Sequence, residues 1–182
     1  MRQKGPRKPR PPLDDEKLNE LMMAYVAKFA TSRAKLGSYL SRKVKERGWA
    51  GAGDPPVEAL VEKAARLGFV DDAAFALSKA RSLTARGYGA RRVGQALHAA
   101  GIEDSDGEAA RDHAREEAVD AALSFARRKR LGPFATALPD PAQKEKALAA
   151  MVRAGHDFRL SKSILGLAPG SPIDPQVLQD YA

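Results

Sequence analysis

Residues 67–102 read LGFVDDAAFALSKARSLTARGYGARRVGQALHAAGI, and the start and stop signals in this stretch set the reading of the whole chain. Val70 and Phe75 flank Asp71 as the two halves of a hydrophobic staple flank an N-cap residue. The aspartate accepts from the free N–H groups of a first helical turn while the apolar pair closes over the entry. This predicts a helix from Asp72 to about Arg86, ended by Gly87. Tyr88 and Gly89 then turn the chain into a second helix, with Val93 and Leu97 inside and Arg91 outside. That helix stops at Gly101, with Leu97 four residues before and Ile102 directly after, the spacing of a Schellman cap.

Working outward, the same stop signal recurs at Gly48, with Val44 and Trp49, and in a weaker form at Gly155, with Met151 and His156; the three glycines lie 53 and 54 residues apart. A period of this length suggests a repeated three-helix unit. Before Gly48, one helical stripe runs through Leu18, Leu21, Met22, Tyr25, Val26 and Phe29. The next helix sets Leu36, Leu40 and Val44 on one side and Lys35, Arg42 and Lys45 on the other, and a third, Val57, Leu60, Val61 and Ala64, closes at Gly68. Farther on, Asp140, Pro141 and Gln143 form a capping box with proline at the first helical position, which predicts a helix from Pro141 to Ala154. The expected fold is all-α: an elongated tandem array of three helix-turn-helix-like, three-helix repeats at residues 15–68, 69–112 and 113–167. A disordered basic tail at 1–14 and a C-terminal tail at 168–182 flank them.

Composition agrees with helices, since aromatics are only 6% of the 182 residues. A chain of this length buries roughly 70% of its unfolded surface, enough for a core without staples. With no cysteine, disulfides and thiolate zinc sites are excluded, and a reducing cytoplasm is the expected compartment. No signal peptide or membrane span is read, so the chain is expected to be soluble and unprocessed. The net charge of +8 is unevenly placed: Arg2, Lys4, Arg7, Lys8 and Arg10 supply five of those charges, leaving a weakly basic body. The basic tail is expected to raise non-specific attraction to DNA or an acidic surface. Within the body, Lys28, Arg33, Lys35, Arg42, Lys43, Lys45 and Arg47 crowd residues 28–49 against Glu46 alone. Lys79, Arg81, Arg86, Arg91 and Arg92 crowd residues 79–92 against no acid.

No catalytic pattern emerges. His98, His113 and His156 have no adjacent nucleophile or metal-ligand motif and read as structural or solvent-facing. Gly87, Tyr88 and Gly89 resemble the start of a dinucleotide loop, but no strand precedes them and Arg92 stands where a third glycine belongs. Neither a metal nor a cofactor is expected, and the chain reads as a non-enzyme.

The combination Gly68-Phe69-Val70-Asp71-Asp72 with Phe75-Ala76, Arg86-Gly87-Tyr88-Gly89 with Arg92-Val93, and Leu97 with Gly101-Ile102 resembles the central signature of the RecX family. Weaker similarity covers roughly 18–165, including Leu36 to Lys45. The resemblance implies a modular row of three-helix repeats. It also implies a role in recombination, DNA repair and the SOS response: binding the RecA filament on single-stranded DNA and altering, with inhibition the expected sign, its ATP turnover, strand exchange and growth. Contact with the DNA itself is expected to be weak or indirect, and the protein is expected to act as a monomer. Three departures stand out: Gly94, Ala96 and Ala100 occupy positions often polar or charged in the family, and the glycine is expected to permit a close backbone approach. The third repeat is the most diverged.

Lys35, Arg42 and Lys45 read either as a solvated helix face or as a contact surface. Arg81, Arg86, Arg91 and Arg92 cluster around the turn at Tyr88 and are candidates for partner or DNA contact, while Tyr88 suits either core packing or stacking on a partner. Arg127 and Arg128, with Lys129 and Arg130, end a helix, where the dipole alone favours cations, and are carried as a further candidate surface. A helix-turn-helix transcriptional regulator, built on two helices meeting at Gly101, is the alternative reading.

Overall fold

The structure, a computed structural model, describes residues 11–181. Most of the basic tail therefore lies outside the described residues, including its five cations. The helices are α1 (Asp15–Val26), α2 (Arg33–Arg47), α3 (Val57–Arg66), α4 (Asp72–Ala85), α5 (Ala90–His98), α6 (Glu108–Glu116), α7 (Ala118–Lys129), α8 (Pro141–Arg153), α9 (Phe158–Gly166) and α10 (Pro175–Gln179). One 3-10 turn spans Gly132–Phe134. The fold is all-helical: among the described residues the only extended pairing is the isolated bridge between Leu13 and Trp49. No described helix is long and apolar enough to cross a membrane. The chain divides into two compact units, one ending at Phe75 and one beginning at Ala76.

The first unit is held by Leu18 and Met22 of α1, Leu36 and Leu40 of α2, and Leu60, Val61 and Ala64 of α3, all buried at helical spacing. Phe29 does not continue the α1 stripe. The helix ends at Val26, and Phe29 lies beyond it, half exposed and tilted against Tyr25 at 5.2 Å. Leu13 departs from the expected tail: it is fully buried, donates from its N–H to the Gly48 carbonyl at 2.9 Å, and accepts from Ala50 at 2.7 Å. That pairing also explains why Gly48 is not a Schellman glycine. Its φ and ψ of 82° and 165° send the chain out extended to meet Leu13 instead of folding it back.

The other stop signals are Schellman caps. Ile102 donates to Leu97 and Gly101 to His98; His156 donates to Met151 and Gly155 to Val152. Gly68 and Gly87 end α3 and α4 by the same paired bonds, Phe69 to Ala64 with Gly68 to Ala65, and Tyr88 to Leu83 with Gly87 to Thr84.

The two aspartates of the signature cap two different helices. Asp71 accepts from Ala74 at 2.8 Å and starts α4, whereas Asp72, itself nearly buried, accepts from the Arg33 N–H at 2.8 Å and so places a carboxylate at the positive end of α2. Asp72→Ala should destabilise the first unit by about 1.5 kcal/mol and Asp72→Asn by about half as much, because the amide keeps the acceptor and loses the charge. Trp49, the one tryptophan, lies in this unit and reports the urea midpoint directly. An unchanged midpoint for Asp72→Ala would refute the cap.

In the second unit, Val119, Ala122, Phe125 and Ala126 of α7 pack with Met151 and Ala154 at the end of α8 and with Leu160 and Ile164 of α9. The capping box at the start of α8 is complete: Gln143 N donates to Asp140 at 2.7 Å and Asp140 N to the Gln143 side chain at 3.0 Å. The expected C-terminal tail contributes to this core, since α10 packs on α7 and α9 and buries Leu178. On α4, Ala76, Ala80, Leu83 and Thr84 form the buried face. Thr84 Oγ1 lies 3.2 Å from His113 Nε2 on α6, and α6, with Ala110 and Ala114 buried, packs against α5.

Candidate functional site

The turn at Gly87-Tyr88-Gly89 is locked onto the junction of α8 and α9. Gly89 N donates to the Ala154 carbonyl at 3.0 Å and Arg91 N to the Gly155 carbonyl at 3.1 Å, so two main-chain bonds tie the start of α5 to the end of α8. The approach leaves no room for side chains: a Cβ on Gly89 would stand 2.3 Å from the Gly155 oxygen, and one on Gly155 2.4 Å from Arg92 N. His156, 2% exposed, completes the lock by placing Nε2 3.2 Å from the Gly87 carbonyl, with its ring edge-on to Phe125. The histidine holds a pKa lowered to about 4, because burial disfavours the imidazolium and Arg128 adds a like charge; the bond to the Gly87 carbonyl only partly offsets them. It is therefore a neutral donor at physiological pH. The close approach expected at Gly94 is absent, with nothing within 4 Å of where its Cβ would stand.

This lock fixes the arginines. Arg91 and Arg92 lie in the first turn of α5, both exposed. A helix N-terminus carries partial positive charge, so cations there are disfavoured by the helix itself and their position has no local electrostatic explanation. Arg91 meets Asp157 only at 3.9 Å, in the exposed regime where an ion pair contributes little, and Arg92 reaches Gln95 at 3.4 Å. A cleft of about 360 Å³ opens beside Arg91, with Arg115, Asp157 and Leu160 on its walls.

Arg86, just past the end of α4, lies with its guanidinium 5.4 Å from the Tyr88 ring centre. Tyr88 is half-buried against the α7–α9 core, so it packs and at the same time presents its ring face to the Arg86 guanidinium. Arg81 is exposed on α4.

The basic run at the end of α7 divides in two. Arg128 donates to the Arg86 carbonyl at 2.6 Å and lies 5.6 Å from the Phe125 ring centre, and Arg127 lies 5.0 Å from that of Phe134. Both cations hold the second unit together, and Arg128 joins the run to the Arg86 turn. Lys129 and Arg130 turn elsewhere and line a groove of about 530 Å³ with Lys144 and Lys146 of α8. The sequence reading did not single out that groove, because its two banks come from segments whose contact no local pattern encodes.

Lys35, Arg42 and Lys45 are all exposed along α2 in the first unit. Lys35 sits over the Phe75 ring at 5.3 Å, and Arg42 pairs with Glu46 at 3.6 Å and lies 5.8 Å from the Tyr39 ring centre. They form a basic helix face whose charge is only partly balanced.

A family profile described as "RecX, second three-helix domain" matches residues 71–110, the segment that holds the lock and its arginines. Over 92% of its length the chain is 34% identical to the regulatory protein RecX of Myxococcus xanthus strain DK1622, covering 94% of that protein. It is 28% identical to the regulatory protein RecX of Agrobacterium fabrum strain C58, over 73% of each chain. Among solved structures, RecX from Lactobacillus salivarius shares the fold with a TM-score of 0.59 at 16% identity, over 82% of this chain and 93% of that one. A second crystal structure, titled as regulatory protein RecX, gives a TM-score of 0.57 at 21% identity, over 83% and 70%. With a relative matched almost end to end and a matching profile on the segment that positions its arginines, the chain belongs to the RecX family of regulatory proteins.

Proposed function

We propose that this protein is a non-enzymatic regulator that binds the RecA filament on single-stranded DNA and inhibits its ATP hydrolysis, strand exchange and growth. The contact surface is Arg81, Arg86, Tyr88, Arg91 and Arg92, with Lys35, Arg42 and Lys45 as a second basic face; Arg127 and Arg128 support the first from behind. The protein acts in the cytoplasm as a monomer of three three-helix repeats, and any contact with the DNA is weak or indirect. The observation that carries this reading is the pair Arg91 and Arg92, exposed, set against the dipole of α5 and clamped by main-chain bonds in a RecX-family chain. Rigid placement of unbalanced cations is what recognition of an anionic or acidic surface requires.

The transcription-factor alternative loses support from α6, the helix that follows the Gly101 turn. It carries Glu108, Asp112 and Glu116, and its two arginines are engaged, Arg111 with Asp104 at 2.7 Å and Arg115 with Asp112. Such a helix has no free positive charge to bring to a duplex.

Purified protein, titrated into a reaction of the cognate RecA with single-stranded DNA, should lower the rate of ATP hydrolysis in a dose-dependent way. An unchanged rate over a wide concentration range would end this reading. The double variant Arg91→Glu with Arg92→Glu should keep its helix content and bind the filament about tenfold more weakly. Undiminished binding by the folded variant would move the contact to another surface.

A further inference from the structure

The groove between the end of α7 and the start of α8 has the chemistry of a second docking site. Lys129 and Arg130 stand on one bank and Lys144 and Lys146 on the other, and no carboxylate lines it. Among the described residues none of these four cations has an ion-pair or side-chain hydrogen-bond partner. Leu131, Ala147, Ala150 and Leu165 line the apolar part, and Leu138, 77% exposed, stands at the mouth. Four like charges around an aliphatic surface repel one another, and an anionic partner that also brings apolar surface complements both features.

The backbone at Arg130 adds an independent observation. It is the one non-glycine residue with positive φ among those described, at 54°, and it occupies the C-terminal cap of α7, where glycine is the unstrained choice. Leu131 donates to Ala126 and Arg130 to Arg127, so the cap itself is an ordinary Schellman pair that glycine would make equally well. The guanidinium is kept at a conformational cost, and strain kept at a site points to use of the side chain there.

We propose that this groove docks an acidic segment of a partner protein, with a leucine-sized side chain seated among Leu131, Leu138 and Leu165 and carboxylates meeting the four cations. The occupant is a peptide and not a single-stranded nucleic acid, because the groove contains no aromatic residue on which a base would stack. The site is separate from the arginine surface at the Gly87 turn and stands whether or not that surface contacts a recombinase.

The test uses the full chain and a fluorescein-labelled peptide of about twelve residues, two leucines three positions apart among aspartates and glutamates, followed by anisotropy. The peptide should bind, and its leucine-to-serine version about tenfold more weakly. Lys144→Glu with Lys146→Glu should weaken binding about tenfold, and Arg91→Glu with Arg92→Glu should leave it unchanged. Arg130→Gly should keep or raise the melting temperature while lowering affinity about threefold, which separates the side chain's use from its structural role. Absence of binding, equal affinity for the serine peptide, or displacement of the peptide by oligothymidylate of matching length would each overturn the proposal.

Discussion

Gly155→Ala should destabilise the second unit by at least about 3 kcal/mol and lower its melting temperature accordingly, as measured by circular dichroism on the full chain. Two penalties add at this residue. Its φ of 95° lies in the region that an L side chain enters at a cost of about 1–2 kcal/mol, and its Cβ would lie 2.4 Å from Arg92 N and 2.6 Å from Arg92 Cβ. Neither neighbour is the free end of a flexible chain, so relief requires α5 to move away from the α8–α9 junction. That movement breaks the bonds from Gly89 to Ala154 and from Arg91 to Gly155. Gly94→Ala is the internal control: it lies within α5, has open space around it, and should stabilise by up to about 1 kcal/mol. If Gly155→Ala melted like the wild type, the close backbone contact would not exist in solution.

The sequence carried what a single helical turn encodes. Asp140 with Gln143, Asp71 with Ala74, and the paired bonds at Gly101 and Gly155 are all made within five or six residues, so their signatures are complete in the local string. Gly48 shows the limit of that logic. Its neighbours Val44 and Trp49 match those of a Schellman stop, but Leu13, thirty-five residues earlier, competes for the chain as it leaves α2 and pulls it extended. Leu13 and Leu178 lie in segments whose composition reads as tail, and burial by distant helices decides their state. At the candidate site the arginines were legible as a charge cluster; their orientation was not. It depends on Gly155 and His156, more than sixty residues away, and the same contacts assign Arg128 to support and leave Lys129 and Arg130 to the groove. Asp72 reads as the start of its own helix, yet its carboxylate caps α2.

The lock on the Gly87 turn should also weaken in acid, by about 2 kcal/mol between about pH 7 and pH 5. His156 has its pKa lowered from 6.5 to about 4, chiefly by burial, so in that range the unfolded chain binds a proton that the folded chain refuses. Stability from this group is thus fully present above the unfolded value and is lost as pH falls from 6.5 towards 4. The buried Nδ1 has no hydrogen-bond partner, which leaves an added proton there with nothing to accept it, and the Arg128 charge opposes it further. His156→Gln keeps a donor for the Gly87 carbonyl and removes the titration, so the difference between the two proteins isolates the histidine from every carboxylate that titrates in both. Urea unfolding followed by circular dichroism should show the wild type losing stability from pH 7 to pH 5 and the variant holding nearly level, with a gap of about 2 kcal/mol opening between them. Parallel curves would mean that His156 takes up its proton without disturbing the turn, and that the arginine surface is held by the main-chain bonds of Gly89 and Arg91 alone.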